Sequence, residues 1–221
     1  MLLQKNEKLV MIGDSITDCG RTPVGEGPHD ATGRGYVAQV EALLNVVYPD
    51  LSIRVVNRGT GGNTVRDLKA RWQRDVLDLK PDWLSIMIGT NDVWRQFDHP
   101  LMPELHVYEE EYERTLRELV EQTKPHVKGL ILMTPFYLEA NRADLMRAKM
   151  DIYGNIVKTI ATNYDTIFVD TQTAFDYLFE YTYTSTLAGD RVHPNQTGHM
   201  VITRALLNAL GFSWQSDEKS E

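Results

Sequence analysis

The sequence predicts a three-layer α/β/α fold around a five-stranded parallel sheet, and three observations carry that prediction. Apolar runs of strand length alternate along the chain with amphipathic stretches of helical spacing. The central run, Trp83 to Ile88, is apolar almost throughout, as a strand covered on both faces must be. Polar and glycine-rich clusters fall directly after the apolar runs, at the strand ends where open α/β sheets gather their ligands.

The elements follow in order. Leu9-Val10-Met11-Ile12 is a short buried strand that ends at Gly13. Tyr36, Val37, Val40, Leu43, Leu44 and Val47 keep helical spacing up to Pro49, which stops the helix. Ile53-Arg54-Val55-Val56 is the second strand. Val65, Leu68, Trp72, Val76 and Leu79 mark one face of a helix that runs to Pro81, and Trp83–Ile88 is the third strand. A helix around 107–122 leads to the strand Leu130-Ile131-Leu132-Met133. A long helix near 144–163 leads to the fifth strand, Ile167-Phe168-Val169. After a shorter helix, His193-Pro194-Asn195 introduces the last helix, about 195–210. Strands separated by helices call for parallel pairing with helices on both faces. No internal repeat, linker or low-complexity segment interrupts the pattern, so one domain over 1–221 is expected, with a short charged tail from about 215.

Composition narrows the function classes. The 221 residues carry 23 Lys+Arg against 31 Asp+Glu, a formal charge of −8, with 42% hydrophobic and 24% charged residues. An acidic chain without a basic tract argues against nucleic acid and anionic membrane surfaces as partners. No apolar stretch approaches the roughly 20 residues of a membrane span. The single Cys19 excludes a disulfide framework or a cysteine-rich metal module within one chain. With no signal-like N-terminus, the cytoplasm is the expected location.

The clusters after the strands supply the chemistry. Gly13-Asp14-Ser15-Ile16-Thr17 follows the first strand and Asn57-Arg58-Gly59-Thr60-Gly61-Gly62-Asn63-Thr64 the second. Gly89-Thr90-Asn91-Asp92 follows the third, and Gly189-Asp190-Arg191-Val192-His193-Pro194 precedes the last helix. A nucleophilic hydroxyl, a glycine-rich turn, a side-chain amide and an Asp/His pair would thus converge on one rim. Those are the parts that acyl transfer needs. Each cluster alone is weak evidence, since Asp-Ser after a strand is also a good helix cap and Gly-Thr-Asn-Asp a turn. Four in this order are a specific signal.

The order resembles the SGNH (GDSL) hydrolase superfamily, from Lys8 to about Phe212. Its serine block matches Gly13-Asp14-Ser15, its glycine block Gly59 through Gly62-Asn63, its third block Gly89-Thr90-Asn91-Asp92, and its last block Asp190 and His193. The strings Val65-Arg66-Asp67-Leu68-Lys69-Ala70-Arg71-Trp72, Asn91-Asp92-Val93-Trp94-Arg95-Gln96 and Met133-Thr134-Pro135-Phe136-Tyr137 are similar to the intracellular bacterial acetylxylan esterases within it. The resemblance implies a flavodoxin-like sheet of order 2-1-3-4-5. It implies Ser15 as nucleophile, His193 as general base and then acid, and Asp190 as the group that orients the imidazole. Its oxyanion hole maps onto the Ser15 N–H, the Gly62 N–H and the Asn91 amide, with Gly59 and Gly61 as alternatives to Gly62. An Asp three residues before the His can hold the imidazole N–H from the same loop.

Other residues carry weaker readings. Trp94, Phe136 and Tyr137, like Tyr36 and Phe97, are candidates for lining a substrate cleft, with core packing an equal reading. Asp14 and Asp92 read as scaffolding that bonds nearby backbone. His199 and Cys19 read as packing residues. No His-Glu-x-x-His, His-x-His or phosphate-loop motif is present, so no metal and no cofactor are expected. Gly33-Arg34-Gly35-Tyr36-Val37-Ala38 fits a degenerate dinucleotide pattern, but no strand precedes it.

The expected function is a serine esterase acting on small O-acyl esters, foremost acetyl groups of xylo-oligosaccharides. A broader esterase, thioesterase, lysophospholipase or acyltransferase would use the same site. A carbohydrate-binding protein on a hydrolase scaffold is the non-enzymatic alternative, and the intact Ser15, Asn91, Asp190 and His193 count against it. Homo-oligomers are compatible with the resemblance, with Tyr181, Tyr183 and Trp214 as candidate contacts.

Overall fold

The computed structural model describes residues 1–214; the charged tail expected from about 215 lies outside the described residues. β1 (Lys8–Gly13) leads into a single helical turn, α1 (Ser15–Asp18), and then α2 (Tyr36–Val47). β2 (Arg54–Gly59), α3 (Val65–Trp72), β3 (Trp83–Met87) and α4 (Thr90–Asp98) follow. α5 (Glu109–Thr123), β4 (Gly129–Met133), α6 (Leu145–Asn163), β5 (Ile167–Val169), α7 (Thr171–Phe179) and α8 (Gln196–Ala209) complete the order. The strands form one parallel sheet of order β2-β1-β3-β4-β5, as expected.

Alternation along each strand divides the core in two. Val10, Ile12, Val56, Leu84, Ile86, Leu130 and Leu132 point to the face covered by α3, α5 and α6. Leu9, Met11, Val55, Met87, Ile131 and Met133 point to the face covered by α2, α7 and α8. Burying each such side chain contributes about 1.5–3 kcal/mol, so both faces of β1 and β3 are fixed in register. Successive strands are added to one side of β1 and then to the other, which puts the switch point between β1 and β3, where Ser15 and Asn91 emerge.

Caps set the helix starts near the rim. Asp14 accepts from the Ile16 N–H at α1, and Thr64 with Asp67 forms a capping box at α3. Asn195 accepts from Thr197 and Gly198 at the start of α8.

Three local expectations change. β2 runs on to Gly59 instead of stopping at Val56, because Asn57, Arg58 and Gly59 still pair in register with Met11, Ile12 and Gly13 of β1. The Asn57 side chain satisfies three groups there: the carbonyls of Thr17 and Thr32 and the Gly59 N–H. The helix expected to reach Leu79 is α-helical only to Trp72 and then widens into a π turn over Gln73–Leu77, which still delivers Val76 to the core. Gly89-Thr90-Asn91-Asp92 is not a turn but the entry into α4, held down by the fully buried Val93.

No helix among the described residues is long and apolar enough to cross a membrane. Tyr181, Tyr183 and Trp214 are exposed on this chain.

Candidate active site

Ser15 is the first residue of α1, directly beyond β1. His193 and Asp190 lie on the loop before α8. The loop is pinned by the buried Val192, by Leu138 N–H donating to the Arg191 carbonyl (2.9 Å), and by Asn195 N–H donating to the Leu187 carbonyl (2.7 Å). Ser15 Oγ sits 2.8 Å from His193 Nε2, and His193 Nδ1 sits 2.6 Å from Asp190 Oδ2. The other carboxylate oxygen of Asp190 accepts the backbone N–H groups of Val192 (3.0 Å) and His193 (2.9 Å). The Asp190 carboxylate thus needs no partner outside its own four-residue loop. Partial burial pushes its pKa up, but these bonds outweigh burial and hold it below the usual carboxylate range. An ionised Asp190 accepting Nδ1–H leaves Nε2 as the acceptor facing the serine hydroxyl.

The glycine turn is fixed from three sides. Gly59 packs so closely on α1 that a Cβ would stand 2.0 Å from the Asp18 nitrogen, so only glycine fits. Arg71, nearly buried, donates to the carbonyls of Gly13 (3.0 Å) and Arg58 (2.8 Å) and to Asn63 Oδ1 (2.8 Å). One guanidinium therefore ties the end of β1, the end of β2 and the turn together. Asp92 adds the third tie: its Oδ1 accepts the Val65 N–H at 3.0 Å.

The turn's own N–H groups discriminate among its glycines. Gly59 N–H goes to Asn57 Oδ1, Thr60 N–H to the Gly13 carbonyl and Gly61 N–H to Asp18 Oδ2. Asn63 N–H goes to the Thr60 carbonyl and Thr64 N–H to Asp67. Among the described residues, Gly62 N–H alone in this turn has no acceptor. Gly62 also has φ +76, a left-handed conformation natural to glycine, and open space where a Cβ would be. The Ser15 N–H is likewise without an acceptor among the described residues. Asn91 is buried on α4; one N–H of its amide donates to the Asn63 carbonyl at 3.0 Å.

Asp14 and Asp92 are buried beside these groups. Burial pushes Asp14 up to about 6 and Asp92 up to about 7, against weaker lowering by backbone bonds. Asp92 Oδ2 has no hydrogen-bond partner among the described residues. Both bond neighbouring backbone, as scaffolding residues should.

The aromatic candidates separate. Trp94 presents itself edge-on to the His193 ring, 5.9 Å between centroids. Tyr137 is nearly buried, and the next residue, Leu138, bonds the Arg191 carbonyl of the loop that carries Asp190 and His193. Phe136 is completely buried against Phe175 (4.5 Å) and belongs to the core, not the rim; it follows β4 in strand-like alternation, which a cleft reading overlooked. Tyr36 is also fully buried, its hydroxyl bonded to Thr17. His199 accepts the Tyr36 N–H on Nδ1 and faces Cys19 Sγ at 3.5 Å. Burial, aided by His193, lowers His199 to about 4, so it stays neutral packing. No cluster of three or more His, Cys, Asp or Glu suited to a metal ion occurs among the described residues.

Sequence reasoning missed Arg71 and Arg95. Arg71 stands inside a quoted block, but its partners lie on three separate elements. Arg95 stands four residues after Asn91, a spacing that is informative only once α4 is known to be a helix.

The chain is similar along nearly its whole length to known proteins. An acetylxylan esterase of Geobacillus stearothermophilus is 60% identical over 215 residues, covering 97% of this chain and 98% of the relative. The crystal structure of Axe2, an acetylxylan esterase from that organism, superposes with a TM-score of 0.97 at 59% identity, covering 99% of this chain and 100% of the other. Its solved forms include catalytic mutants of a serine, an aspartate and a histidine. LAE5, an alpha/beta hydrolase enzyme from the metagenome of Lake Arreo, Spain, superposes with a TM-score of 0.94 at 53% identity, covering 96% and 98%. Residues 11–201 match the GDSL-like Lipase/Acylhydrolase family, and with that match the chain belongs to it.

Proposed function

We propose that this enzyme is a serine esterase that removes acetyl groups from xylo-oligosaccharides. The chain of contacts Ser15–His193–Asp190 at 2.8 and 2.6 Å carries the proposal, and the acetylxylan esterase 60% identical to it supports the substrate class.

The chemistry follows from the groups present. A serine hydroxyl is a weak nucleophile until a base removes its proton, and His193 Nε2 is placed to do so. Ser15 Oγ attacks the acetyl carbonyl carbon while its proton passes to Nε2. Asp190 holds the imidazole in the required tautomer and stabilises the imidazolium that forms. The carbonyl oxygen, now negative, takes the unpartnered N–H groups of Ser15 and Gly62 and the Asn91 amide. Collapse breaks the ester C–O bond, and the sugar oxygen leaves with the proton from Nε2. Water then attacks the acetyl-serine, His193 takes its proton and returns it to Ser15, and acetate departs.

Trp94, edge-on to His193, is the aromatic side chain best placed beside the substrate, with the Tyr137–Leu138 segment bonded to the loop through the Arg191 carbonyl. We read the described residues as one domain around one sheet, and the cytoplasm as its location, where a lone thiol such as Cys19 is at home.

Acetate release from acetylated xylo-oligosaccharides, compared with a p-nitrophenyl ester series of increasing acyl length, tests the proposal. The acetyl esters should be turned over fastest, with the sugar esters at least as good as the aryl ester. A preference for long acyl chains would replace the sugar reading with a lipase or lysophospholipase.

A further inference from the structure

Asn91 and Arg95 lie one turn apart on the same face of α4. Arg95 Nη2 donates to Asn91 Oδ1 at 3.1 Å, while Asn91 Nδ2 donates to the Asn63 carbonyl at 3.0 Å. A guanidinium has only donors and a carbonyl only acceptor capacity. Turning the Asn91 amide over would set N–H against N–H and oxygen against oxygen, so Arg95 and Asn63 together permit a single orientation. Arg95 is itself held. It is only 22% exposed, pairs with the Asp98 carboxylate, approaches His99 Nδ1 at 3.4 Å, and lies over the Trp94 ring at 4.8 Å. Trp94 in turn meets His193 edge-on. One guanidinium thus braces a residue proposed for the oxyanion hole and the aromatic ring beside the proposed base.

We propose that Arg95 is a positioning residue for ester hydrolysis: it locks the Asn91 amide with its second N–H, the one not given to the Asn63 carbonyl, available to the oxyanion and polarises it through the charged bond to Oδ1. The inference rests on the reading of Asn91 as an oxyanion donor. The advantage arises when negative charge develops on the carbonyl oxygen, so Arg95 should act on kcat and hardly on KM. A charge-assisted bond polarises the amide at its other end, which strengthens the N–H as a donor. Asp98 is the carboxylate that neutralises Arg95 from the next turn, and it does not touch Asn91.

A double-mutant cycle on p-nitrophenyl acetate hydrolysis tests this, using Arg95→Met, Asn91→Ala and the double variant, with Arg95→Lys alongside. Arg95→Met should lower kcat about 10- to 100-fold, the scale of one charge-assisted hydrogen bond, with KM nearly unchanged. In the Asn91→Ala background the same substitution should change kcat by less than about twofold, since the group it positions is gone. Arg95→Lys, which keeps one charged donor, should recover part of the loss, as should added guanidinium ion with Arg95→Met. Multiplying effects in the double variant, or a loss confined to KM, would overturn the inference and assign Arg95 a packing role. If Asn91→Ala alone leaves kcat intact, the oxyanion reading of Asn91 fails and this inference with it. If Asn91→Ala is costly but Arg95→Met is not, only the inference about Arg95 fails.

Discussion

Asp190 and the pair Asp14/Asp92 are the same functional group in opposite surroundings, on one rim of the sheet. Asp190 has a side chain 44% exposed, three hydrogen bonds from its own loop, and a pKa below the usual range. Asp14 and Asp92 are buried, with one backbone N–H each accepted by the side chain, and burial lifts them to about 6 and 7. Distance from the nucleophile does not separate them, since Asp14 is the neighbour of Ser15. The number of donors that meet the carboxylate, set against its loss of water, decides how readily each one ionises. Asp190 is the one bonded directly to the imidazole, while Asp14 and Asp92 spend their side chains on backbone N–H groups as struts.

Substitutions that remove charge but keep shape break the comparison most directly. Asp190→Asn should lower kcat about 10³- to 10⁴-fold, because an asparagine favours the wrong histidine tautomer and offers no counter-charge. Steady-state kinetics on an aryl acetate reads this out, and a loss below tenfold would place Asp190 among the struts. Asn91→Ala should lower kcat by about 10²–10³, the usual cost of one oxyanion donor, again with KM little changed. Asp92→Asn should change kcat by less than about tenfold, for it keeps an oxygen for the Val65 N–H and touches no reacting atom.

The smallest effect on rate has the clearest effect on stability. Asp92 rises from an ordinary 3.8 to about 7 in the folded protein, so between those values the folded state binds more protons than the unfolded one. The contribution is therefore fully present below about pH 4 and is lost as pH rises through 7. Urea unfolding at pH 4, 6 and 8 should show the wild type losing on the order of 2–4 kcal/mol more over this interval than Asp92→Asn. Parallel profiles would mean that Asp92 is ionised in the fold after all. Asp190 has the opposite sign: its contribution is present above the ordinary carboxylate range and is lost as pH falls through its lowered pKa.

What the sequence made legible was local or periodic. The five parallel strands follow from apolar runs alternating with helical stretches, their order came with the family resemblance, and the Asp190–His193 contact follows because both groups share one short loop. Ser15 needed all four clusters in order, since Asp-Ser after a strand is also a good helix cap. The rest depended on partners that sequence does not name. α4 was hidden because Thr90, Asn91 and Asp92 are turn formers, and the helix is decided by Val93 packing into the core. Phe136 looked like a cleft residue because aromatics after a strand sit at the rim as often as below it; contact with Phe175 puts it below. Arg71 and Arg95 have long side chains whose acceptors lie on other elements or on an unrecognised helix. Gly62 could be separated from Gly59 and Gly61 only by accounting for every N–H in the turn.

The central claim is that Ser15 is the nucleophile, activated by a histidine that an ionised Asp190 holds. Turnover of p-nitrophenyl acetate by Ser15→Ala, with folding verified by circular dichroism, tests it most directly. The account predicts a loss of about 10³-fold or more, the scale seen when a nucleophile of this kind is removed. Undiminished turnover by the folded variant would contradict it.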